Sequence, residues 1–169
     1  MRLKILNMKE QEMKVLNSPL GKKIVLSADF IISDEFNREI LMAIKLVELE
    51  MINQNIDIDK LKGTNFIISE TGHLSVQMDD VGNYVYFSVI NYSEIKKYEN
   101  QNSRIAVIIE ELVHNFWNYS DEEKIKLIDI KIMKRWNQNI EVEDIFDMST
   151  IQDSEKISYL VLTPENFDK

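Results

Sequence analysis

Asn65-Phe66-Ile67-Ile68-Ser69-Glu70-Thr71-Gly72-His73-Leu74-Ser75-Val76-Gln77-Met78-Asp79 is the stretch on which the fold turns. Asn65 to Glu70 is rich in β-branched and aromatic residues and reads as a strand, closed by a Thr71-Gly72 turn. From His73 to Asp79 the chain alternates: Leu74, Val76 and Met78 fall on one face, His73, Ser75, Gln77 and Asp79 on the other. A period of two with one polar face predicts a strand half-covered by the core. Asp80-Val81-Gly82-Asn83 turns the chain again, and Tyr84 to Tyr92 is apolar or aromatic on both faces. Two short turns between three strands predict a meander, hence an antiparallel sheet of three to four strands.

Outward from this stretch the pattern changes period. Upstream, Lys23 to Ile32 reads as a strand, and Leu3 and Ile5 alternate in a short one. Ser33 before Asp34 and Glu35 is a helix start, with a hydroxyl cap and carboxylates where the helix dipole favours them. The helix runs to about Asn53, with Ile40, Ile44, Val47 and Met51 at helical spacing. Downstream, Ser93 to Tyr98 is a helical lead-in to a helix over Arg104 to Asn118. Ser120-Asp121-Glu122-Glu123 then caps a second helix that reaches about Trp136. A last strand is expected at Lys156 to Leu162. The expected architecture is α+β: an antiparallel sheet packed with a helix and followed by two consecutive helices, in one domain over 1–169.

Composition narrows the function. The chain has no cysteine, which excludes disulfides, thiolate metal sites and a cysteine nucleophile. A net charge of −9 argues against direct nucleic-acid binding, which needs clustered bases. No apolar run is long enough for a membrane span and Met1 to Glu12 lacks a signal-peptide core, so the expected location is the cytoplasm. Eight acids and two bases lie between Glu141 and Lys169, a net of −6. This acidic segment, 141–169, reads either as a solubilising end or as a surface for a basic protein partner, with Glu141, Glu143, Asp144 and Asp147 as its contacts. Tyr84 and Tyr86, on the expected exposed strand, are further partner-contact candidates.

The chemistry-bearing stretch is Glu110-Glu111-Leu112-Val113-His114. On its helix Ile105, Ile108, Ile109, Leu112, Val113 and Phe116 form one broad apolar stripe, and Glu110, Glu111, His114 and Asn118 lie opposite. That opposite face is either solvated, with an i, i+4 Glu110–His114 pair, or a ligand face in a cleft. On the following helix Asp129 falls inside the apolar stripe of Ile125, Ile128, Ile132, Met133 and Trp136, with Glu122 two turns earlier on the same side. A carboxylate there is either a boundary residue paired with a lysine or one whose desolvation a metal offsets. Leu127 and Ile130 lie off the stripe, so this helix is expected to be apolar on two sides.

Glu111 and His114 stand where the zincin metallopeptidases have the Glu and second His of His-Glu-x-x-His, with Glu110 in place of the first His. Over residues 23–136 the chain resembles a degenerate zincin. The resemblance implies one of two functions. The first is protein binding by an inactive scaffold of regulatory, immunity or phage-inhibitor type, without a cofactor. The second is a metal-dependent hydrolase in which Glu110, His114 and Asp129 hold zinc and Glu111 is the general base.

Overall fold

A computed structural model describes residues 4–5, 17–71, 76–77, 87–117 and 121–146. The elements are β1 (Lys4–Ile5), β2 (Ile24–Ala28), α1 (Asp34–Asn53), β3 (Thr64–Ser69), β4 (Val76–Gln77), β5 (Phe87–Asn91), α2 (Tyr92–Ile95), α3 (Gln101–Trp117) and α4 (Glu122–Trp136). Single 3-10 turns lie at Gly21–Lys23, Ile58–Lys60 and Val142–Asp144.

The principal sheet has the order β2-β3-β5 and is parallel throughout, with Ile24 opposite Thr64 and Asn65 opposite Phe87. The expected antiparallel meander is therefore corrected. Its second strand survives only as β4, which leaves this sheet and pairs antiparallel with β1. Residues 72–75 and 78–86 lie outside the described residues, and with them His73, Tyr84 and Tyr86. The physical reason lies in how β3 is covered. Phe66, Ile67, Ile68 and Ser69 are all buried, so both faces of the central strand are covered, as in parallel sheets. Parallel neighbours also need a long crossover, and α1 supplies it between β2 and β3.

Local signals set the helix ends. Ser33 Oγ accepts the Phe36 amide at 3.2 Å, the cap expected for α1. At its far end Asn55 takes a positive φ of 56°, the amide of Ile56 donates to Met51 and that of Asn55 to Ile52. This is a Schellman closure with asparagine in the place glycine usually takes. For α4 the cap is Asp121, whose carboxylate accepts from the amides of Glu123 and Lys124; Ser120 lies outside the described residues. Gly63 precedes β3 where a Cβ would stand 3.1 Å from the Lys23 carbonyl oxygen, so the strand entries approach too closely for a larger residue.

One apolar cluster joins Leu26, Phe66, Ile68 and Ile90 of the sheet to Ile40, Ile44, Val47 and Met51 of α1 and Ile105, Ile108, Ile109, Leu112 and Val113 of α3. Both expected stripes are buried, apart from Phe116, which is half-buried. α4 packs on α3 and α1. Its Ile130 is as buried as Ile125, Ile132 and Met133, so the helix is covered on two sides. Ile140, Val142 and Ile145 are buried after it and tie down the chain beyond its C-terminus.

Buried ions join the helices. Arg104 donates to both oxygens of the buried Glu39 and to the exposed Glu35, and caps the carbonyls of Tyr98 and Glu99. Glu50 of α1, fully buried, meets Lys131 at 3.3 Å and Arg135 at 2.6 Å across to α4. The Arg135 contact is a charge pairing, because the same Glu50 oxygen has no aligned donor. The expected strand at 156–162 lies outside the described residues. Among the described residues no helix is long and apolar enough to cross a membrane.

Candidate metal site between α3 and α4

Glu110 and His114 stand one turn apart on α3, so their side chains project from the same face. That face meets α4, with both side chains half-buried. Glu122, in the first turn of α4, comes from the opposite side, with its Oε1 3.7 Å from His114 Nε2. One potential ligand atom from each of Glu110, His114 and Glu122 lies within 4.8 Å of the other two. The amino end of α4 favours the Glu122 carboxylate there.

Asp129 follows Glu122 by two turns and lies deeper in the same helix contact. Its side chain is 0 % exposed, and neither carboxylate oxygen has a hydrogen-bond partner among the described residues. Burial holds its pKa well above the usual value for Asp; the charges of Glu110 and Glu122 push it further and Lys126 opposes them. Burial also raises Glu110, with Glu122 adding to the effect and Lys126 and His114 opposing. Three carboxylates therefore share one helix contact, with Lys126 as counter-charge. Fully buried Asp is rare, and unpaired it costs several kcal/mol, on the order of 2–7 by transfer from water.

Glu111, expected to act as general base, belongs to another group. Its carboxylate accepts a hydrogen bond from Ser88 on β5, and burial still raises its pKa. Asn115 donates to Ser88 Oγ and to the Glu111 carbonyl, and accepts from Thr64 Oγ1 at 2.9 Å. These residues form a polar network where α3 crosses the amino ends of β3 and β5.

Of the expected ligands, Glu110 and His114 converge, Asp129 lies behind them, and Glu122 completes the trio. Glu122 could have been singled out from its i, i+7 relation to Asp129, which places both on one face of α4. Among the partner-contact candidates Glu141 and Glu143 are exposed. Asp144 is engaged locally: its carboxylate accepts the Glu141 amide and its carbonyl accepts from Asn100 and Ser103. Asp147 lies outside the described residues. Compared with protein-family models, curated proteins and solved structures, the chain shows no match.

Proposed function

We propose that the protein binds one divalent metal ion between α3 and α4 through Glu110, His114 and Glu122, with Asp129 as the buried acid behind them. The observation that carries this reading is Asp129: a fully buried carboxyl group with no donor, facing two further carboxylates. A cation held by Glu110, His114 and Glu122 offsets the acidic charge gathered beside Asp129. One imidazole and two carboxylates suit zinc or manganese. Tetrahedral zinc with bonds of about 2 Å needs donors about 3.3 Å apart. The present 3.7 Å between His114 and Glu122 is close to that, and side-chain rotation brings Glu110 in. His114 and Glu110 are half-buried and Glu122 exposed, so a fourth position opens toward solvent. Three protein ligands with one open position is the arrangement in which a metal activates water.

The test is calorimetric titration of the chelator-treated protein with zinc and with manganese, alongside metal analysis of protein purified without chelator. Stoichiometric binding is expected, at least about tenfold weaker for His114→Ala and for Glu122→Gln. Absence of binding at micromolar metal, or wild-type affinity in His114→Ala, would overturn the reading.

A further inference from the structure

α4 makes opposite kinds of contact at its two ends. In its first two turns Glu122 approaches Glu110 and His114, and between residues 122 and 128 Ile125 alone is fully buried. In its second half Lys131 and Arg135 grip the buried Glu50 of α1, and Ile130, Ile132 and Met133 are all buried. The buried Ile140, Val142 and Ile145 hold the chain just beyond. The amino half is thus thinly packed and the carboxyl half is clamped by burial and ion pairs. A helix held in this way opens most easily from the thinly packed end.

We propose that metal occupancy controls the docking of the first two turns of α4 on α3, while the second half of α4 stays clamped to α1. The inference rests on the metal site of the preceding section. Without metal, no cation bridges Glu122 to Glu110 and His114, the turns over 122–128 are held by one fully buried isoleucine with Leu127 and Ile128 half-buried beside it, and they open locally. A bound cation draws Glu122 onto Glu110 and His114 and closes them. When open, the groove in front of Glu110 and His114 widens, so the ion that closes the helix also closes its own entry. Binding and closure are then linked: a ligand that prefers the docked state shifts the population toward it.

Amide hydrogen exchange along α4, in chelator and in saturating zinc, reads this directly. Zinc should slow exchange of amides between 125 and 129 by about tenfold or more, and those between 132 and 136 by less than about twofold. A second arm removes the bridge. Glu122→Gln leaves α4 without its ligand, so saturating zinc should no longer slow exchange over 125–129. Zinc that binds calorimetrically but protects α4 evenly, or not at all, overturns the inference and leaves the metal site standing. Zinc protection of 125–129 that persists in Glu122→Gln overturns the bridging of α3 to α4. Absence of calorimetric binding removes the metal site itself, and the closure with it.

Discussion

Replacing Asp129 with Asn removes an ionisable group and leaves the side-chain volume nearly unchanged, so its effect isolates the cost of burying that carboxyl group. Its folded-state pKa lies well above the usual Asp value, through burial first and Glu110 and Glu122 second. The native state therefore holds a proton that the unfolded chain releases above pH of about 3.9. Such a group stabilises the fold fully below that pH and loses its contribution as pH rises toward the folded pKa. While native and unfolded states differ by one proton, stability falls by about 1.4 kcal/mol per pH unit. Between pH 5 and pH 8 that amounts to at most about 4 kcal/mol. For a chain of this size each kcal/mol moves Tm by about 2–4 °C. Urea unfolding in chelator, at several pH values over this range, should show wild type losing stability more steeply than Asp129→Asn. The variant should become the more stable protein toward pH 8. Parallel stability curves, or an Asn variant that is less stable at high pH, would refute the account of Asp129 as an unpaired buried acid.

Other perturbations follow from the same contacts. Ile109→Ala or Leu112→Ala, each fully buried at the centre of α3, should cost about 2–5 kcal/mol in urea unfolding, and Phe116→Ala less because it is half-buried. Arg104→Met leaves the buried Glu39 without its partner and should cost about 3–5 kcal/mol, whereas removing the exposed Glu35 should change little. Lys126 is the cation already facing Glu110 and Asp129, so Lys126→Gln should tighten zinc binding in calorimetry and lower metal-free stability. Saturating zinc at about 100 times its Kd should raise stability by about 2.7 kcal/mol, and that gain should disappear in His114→Ala.

Local physics was legible in the chain itself. Ser33 before two acids, the period of 3.6 through Ile40, Ile44, Val47 and Met51, and the stripe from Ile105 to Val113 each describe one helix and its own buried face. Those signals depend on residues within a few positions of one another, so one chain suffices to read them. Glu110 and His114 were legible for the same reason, since four residues on a helix is one turn.

Strand direction was not legible, because it is set by what lies on the two faces of the sheet. The alternation of 73–79 pointed to a half-wet strand and hence to a meander, yet among the described residues Val76–Gln77 pairs with β1 and not with the principal sheet. The unbroken apolar run Phe66-Ile67-Ile68 was the truer sign, and its meaning emerged only with both faces of β3 covered. The candidate site divides in the same way. Periodicity left the Glu110 face of α3 open to two readings, solvent or cleft, because a helix cannot specify its neighbour. Packing α4 across that face brought Glu122 to His114 and buried Asp129 without a partner. The ligand residues are written in the sequence, but their convergence arises from the contact of two helices, a tertiary property.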